Sequence, residues 1–198
     1  MLTATINEVM PNQKWHRAPA EAAADNEQRI LAAAISILLQ GEDLLGALTS
    51  EIFTRKNPMV FNASIGGHYR HCLDHFTSLM RSLDKDEVDY DHRDRDVHIE
   101  TNPEFALNVT REIRKLLEQL NPKMLVRTVT ARCEVSYEHC DSPRTHSSYG
   151  RELVYGIAHA IHHYALISVM ARLMDVKLPA HFGVAPSTVA HQAVTVTK

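Results

Sequence analysis

Tryptophan is nearly missing from this chain of 198 residues, which carries one Trp, five Phe and an aromatic share of 6%. Cysteine is also scarce. Cys72, Cys133 and Cys140 are too few, and odd in number, for a disulfide framework, which points to a reducing, cytoplasmic setting. No excess of positive charge is present, since the net charge is -3 and the pI is about 6.5. No nucleic-acid or anionic-membrane partner is expected. No unbroken apolar run reaches the ~18 to 20 residues of a membrane helix, and no basic flank with an apolar core opens the chain, so neither a membrane span nor a signal peptide is expected. With 44% hydrophobic and 23% charged residues, the balance is that of one full-sized globular domain. What the chain has in excess is histidine, thirteen residues in all.

Residues 1–20, with Pro11, Trp15 and Pro19, have no period and read as an N-terminal arm. Four helices follow. Helix one runs to about residue 50 on Ile30, Leu31, Ala34, Ile35, Leu38, Leu39, Leu44, Leu45 and Leu48, with Gly41 as a weak point. Residues 51–62 read as a loop. Helix two extends from Ile65 to about Leu83 with Ser64 as its cap, and Gly66 and Gly67 in its first turn imply a close backbone approach. The charge-dense stretch from Asp84 to Thr101 reads as a solvated loop. Helix three starts at Thr101 or Asn102 with Pro103 in its first turn and stops at Asn121-Pro122. Residues 125–138 alternate with period two and are rich in β-branched side chains, which predicts a short β-hairpin bending near Ala131-Arg132. Helix four spans Ser147 or Ser148 to about Val176, and Pro179 closes it. The fold class is thus mainly α, an up-and-down-type four-helix bundle over residues 21–178, with the hairpin between helices three and four. A tail, 179–198, is expected as coil or an extended piece on the bundle or a partner chain.

Six histidines fall on two helices: His68, His71 and His75 on helix two, and His159, His162 and His163 on helix four. At about 100° per residue the first three share one face. His159 and His163, one turn apart, can present two ring nitrogens to one ion at ~2.0–2.1 Å, and helix two offers the third ligand. They interrupt a face of Tyr155, Leu166 and Met170, where a buried imidazole needs a polar or metallic partner. His71, His159 and His163 are the candidate metal ligands, with His68 and His75 as rivals to His71, while His162 points elsewhere. Cys72 is a small core residue. G-x-S-x-G, P-loop, G-x-G-x-x-G, C-x-x-C and H-E-x-x-H patterns are absent, so hydrolase-elbow, nucleotide, zinc-ribbon and thermolysin-like readings have no support.

The run Ser-Ile-Gly-Gly-His-Tyr-Arg-His-Cys-Leu-Asp-His-Phe (Ser64 to Phe76) and the later His-Ala-Ile-His-His (His159 to His163) resemble the DinB/YfiT-like superfamily over roughly residues 25–178. Its members are bacterial four-helix bundles that bind a divalent metal through one helix-two His and a late H-x-x-x-H. The resemblance puts the late pair on His159 and His163. Counted from Ser64-Ile65, it puts the helix-two ligand on His71; Ala63 stands where the family has Trp, which keeps His68 as an alternative. It implies a zinc, nickel or iron site with an open coordination position, and an enzyme acting on a small molecule such as a thiol by hydrolysis or S-transfer. Asp74 or Glu152 would orient an imidazole and Tyr155 would donate to a bound group. The alternative is a metal-binding or stress-related interaction protein without turnover, on a bundle that can serve as a homodimer platform.

Overall fold

In the computed structural model, which describes residues 19–138 and 142–196, the periodic residues of helix one become α1, Pro19–Ala47. Nearly all of the expected arm, Trp15 included, and Cys140 lie outside the described residues. Leu31, Ala34, Ile37, Leu38, Leu44 and Leu45 form the buried stripe of α1, each Leu or Ile contributing about 1.5–3 kcal/mol of apolar transfer. A short α2, Ser50–Thr54, occupies part of the expected loop because Thr49 caps it and Phe53 anchors it in the core. Helix two is α3, Ile65–Arg81, and the Ser64 side chain accepts from the Gly67 amide as expected of its cap. The close approach foreseen at Gly66 is present, since a Cβ there would lie 2.0 Å from the Glu100 carbonyl oxygen.

The stretch read as a solvated loop is more ordered than that. It holds β1, Glu87–Asp89, and α4, Val97–Thr101, because Val88, Tyr90 and Ile99 supply apolar anchors among the charges. Helix three is α5, Pro103–Gln119, with Asn102 accepting from the amides of Glu104 and Phe105 and Pro103 in the first turn. A 3-10 turn, Pro122–Val126, leads into β2, Thr128–Arg132. The chain does not bend at Ala131-Arg132. There Ala131 pairs with Thr145 and Arg132 with Arg144 of β3, Arg144–Ser148, so the antiparallel partner lies beyond Ser142-Pro143. The alternation after Cys133 forms no ladder. Glu134 instead accepts from the amides of Val135 and Ser136, and such local bonds compete with strand pairing. A parallel pairing of β1 with β2 completes a three-stranded sheet in the order β1-β2-β3.

Helix four is α6, Tyr149–Leu173, capped by Ser148, whose hydroxyl accepts from the Arg151 amide. Among the described residues there are seven α-helices, of which four are long. α1 packs on α5 and α6, and α3 packs on α6 and α5. Tyr69 and Tyr164 tie them together at the centre. The Tyr69 hydroxyl lies 2.9 Å from Thr110 Oγ1 on α5, and the Tyr164 hydroxyl donates to the Ile37 carbonyl on α1. Gly41 is the reason both fit, since a Cβ there would stand 2.3 and 2.4 Å from the two hydroxyl oxygens.

The tail ends in α7, Pro186–Val196, rather than in coil or an extended piece. Val189, Ala190, Ala193 and Val194 also satisfy i, i+4 spacing, which the alternating reading overlooked. Before it, Phe182 is buried and stacks on Tyr164, and Gly183, at φ +71°, sits against the α6 backbone. Residues 25–47 of α1 and all of α6 are long and apolar enough to cross a membrane by length and composition, a test that the core helix of a soluble protein also passes. Their scattered polar residues break a run without lowering the helix average enough to fail that test.

Candidate metal centre

The α3–α6 contact is where the imidazoles meet. Gly156 of α6 faces the Phe76 ring of α3, where a Cβ would stand at an ordinary contact distance of 3.7 Å, one turn away from the histidines. His71, His159 and His163 each offer a ring nitrogen within 4.8 Å of the others. His71 Nε2 and His159 Nε2 are 2.9 Å apart. Two nitrogens on one tetrahedral ion at ~2.0–2.1 Å stand about 3.3 Å apart, so the pair needs to open only slightly.

His68 and His75, the rivals to His71, border the group. His68 Nδ1 lies 3.0 Å from His163 Nδ1, and the His75 ring centroid is 4.1 Å from that of His159. His162 is exposed. Burial is the largest cause holding all five clustered imidazoles below the ordinary histidine range. His71 is lowered to about 4 by burial and by His159, and His163 to about 3 by burial and by His71. His75 falls to about 2 for the same first reason, then through His159. His68 and His159 shift the same way. Near neutral pH these rings are uncharged, which leaves each with a lone pair for a cation. The donor set therefore fits a borderline divalent ion, and three imidazoles leave a position open.

Neither carboxylate expected to orient an imidazole does so. Glu152 is buried, but its oxygens accept from the Tyr90 hydroxyl at 2.9 Å and from the Ser147 hydroxyl at 2.5 Å, which locks β1 and β3 to α6. Asp74 is buried and lies 4.0 Å from Arg70 Nε. Burial raises its carboxyl group, against Arg70. Tyr155 is half-buried and flanks both His75 and His159 at ring-centroid distances of 5.6 and 5.7 Å. Cys72 is buried, and its thiol is pushed up by burial, as suits a core residue.

Sequence reasoning missed Arg93. Its Nη1 donates to His71 Nδ1 at 2.9 Å and to His75 Nε2 at 3.2 Å. The signal was available in the alternation of Glu87-Val88-Asp89-Tyr90, which marks a strand with an inward face and so a loop held against the helices. A cavity of about 540 Å³ opens in front of His71, His75 and His159, bounded by Arg93, Arg132 and Tyr155.

A mainly helical chain that gathers neutral imidazoles from two packed helices beside a cavity defines a class of candidate metal-binding helical proteins. Within it, this chain belongs to the DinB family, whose model matches residues 40–185. The match runs past the end of α6 to Phe182 and Gly183. The chain is also similar to FK506-binding protein 5 of Rhizopus delemar, at 37% identity over 107 residues, 52% of this chain and 27% of that protein. It spans about a quarter of that relative's length. No solved structure matches.

Proposed function

We propose that this chain is a divalent-metal-dependent enzyme of the DinB family, an up-and-down four-helix bundle acting on a small molecule by hydrolysis or thiol transfer. The observation that carries this reading is the convergence of His71, His159 and His163 beside an open cavity. These three would hold zinc, nickel or iron, any of which suits an imidazole set. Once bound, the ion supplies Lewis acidity at a position a substrate can reach. The protein's share is orientation. His68 Nδ1 and His163 Nδ1 lie 3.0 Å apart, and a hydrogen bond with the proton on His163 would leave Nε2 of that ring to ligate. Tyr155, at the cavity wall, donates its hydroxyl hydrogen to a bound group.

Metal analysis of untagged protein tests the reading, with His71→Ala and His159→Ala as controls. One divalent ion per chain in the wild type and loss of it in both variants is the expected result. No stoichiometric metal, or metal retained in both variants, overturns the site. Turnover of thiol and ester substrates that disappears in the same variants separates an enzyme from a metal-binding scaffold.

A further inference from the structure

We propose that Arg93 and a divalent ion compete for His71, and that the displaced guanidinium becomes the binding group for a carboxylate-bearing small molecule in the adjoining cavity. This rests on the three-histidine reading above and adds a substrate class to it.

Arg93 enters the cluster from the loop after β1, not from either histidine helix. A guanidinium has donors only, so both nitrogens it meets, His71 Nδ1 and His75 Nε2, are acceptors. Neutral His71 then carries its proton on Nε2, the nitrogen turned toward His159. Ligation demands the reverse. An ion taken at Nε2 needs the lone pair there, which moves the ring proton to Nδ1 and sets it against the Arg93 donor. An ion taken at Nδ1 displaces the guanidinium outright. By either nitrogen, the Arg93–His71 contact and an ion on His71 exclude one another. Repulsion between a dication and a guanidinium a few ångströms away acts in the same direction.

The released side chain has somewhere to go. Arg93 Nε is buried with no hydrogen-bond partner among the described residues, so turning the head group sacrifices only the Nη1 contacts. The cavity in front of the imidazoles is bordered by three arginines, Arg93, Arg95 and Arg132, against two carboxylates, Asp91 and Glu134. Both carboxylates already serve the backbone: Asp91 accepts from the Glu134 amide, and Glu134 accepts from the amides of Val135 and Ser136. Arg132 is 3.6 Å from Asp89 and committed to it. The fork of a freed Arg93 beside that cavity matches a carboxylate through two parallel hydrogen bonds.

Calorimetric titration of the full untagged chain tests this, with Ni²⁺ as the ion, succinate as the anion and succinamide as its uncharged control. Arg93→Met should bind Ni²⁺ about tenfold more tightly than wild type, the worth of one hydrogen bond from a charged donor. Arg93→Lys should fall between them. Succinate should bind the Ni²⁺-loaded wild type and bind Arg93→Met at least about tenfold more weakly, with succinamide binding neither. Equal Ni²⁺ affinity in all three chains overturns the competition. Tighter Ni²⁺ binding with unchanged succinate binding overturns the carboxylate assignment. Failure of every chain to bind Ni²⁺ overturns the three-histidine reading and this inference together. If Arg93→Met loses its helical circular dichroism, Arg93→Lys decides by the same comparisons.

Discussion

His75 is 4% exposed and the most deeply set imidazole of the cluster. Tyr90 and Tyr155 flank its ring, Arg93 donates to it, and His71 and His159 lie within ring contact. Its folded pKa of about 2, with His163 at about 3 and His71 at about 4, lies below the unfolded value of 6.5. Between those limits the unfolded chain binds more protons than the folded one, so stability is fully present above pH 6.5 and is lost as the pH falls. Asp74, raised by burial, works in the opposite sense. In the presence of a chelator, the urea midpoint should fall continuously from pH 6.5 to pH 4, and His75→Gln should make that fall shallower. A midpoint indifferent to pH across this window, or an unchanged slope in His75→Gln, would show that the buried imidazoles do not control acid stability.

At the level of elements, two glycines make opposite predictions. A Cβ at Gly66 meets the Glu100 backbone at 2.0 Å, where α3 crosses α4, and the Phe53 ring at 2.9 Å. A Cβ at Gly46, near the end of α1, meets nothing within 4 Å. Gly66→Ala should therefore destabilise by about 1–3 kcal/mol or more, and Gly46→Ala should stabilise by about 0.5–1 kcal/mol. Denaturant unfolding of both reads the pair, and equal effects would refute the close α3–α4 approach. The Gly66 contact was legible in the sequence because two glycines in a first helical turn are costly without a reason. The four long helices and their caps were legible for a similar cause: apolar spacing, Ser64, Asn102-Pro103 and Ser148 are local signals that tertiary packing reinforces. The sheet was only half legible. β2 declares itself through β-branched alternation, but Arg144–Ser148 is polar, and only its pairing with β2 makes it a strand. The histidine faces could be read from helical phase alone. Arg93 was harder to read, because the alternation of Glu87 to Tyr90 that pins its loop through Val88 and Tyr90 lies in a stretch whose charge marks it as solvated.

Across the whole molecule, the candidate centre bridges α3 and α6, the helices that carry much of the core between Tyr69 and Phe182. A ligand set divided between two helices exists only when they are packed, so an ion held there binds the folded chain in preference to the unfolded one. At a hundredfold excess over its dissociation constant it adds about 2.7 kcal/mol of stability. For a chain of this length that corresponds to a rise of about 5–10 °C in Tm. Wild-type protein should show such a rise with Ni²⁺ and lose it on adding chelator. His159→Ala should show none, because His159 supplies the α6 nitrogen nearest His71. His162→Ala, altered at an exposed neighbour, should respond as wild type does. An equal rise in His159→Ala would mean that the ion stabilises some other part of the surface, and that the α3–α6 junction is held by its apolar contacts and hydrogen bonds alone.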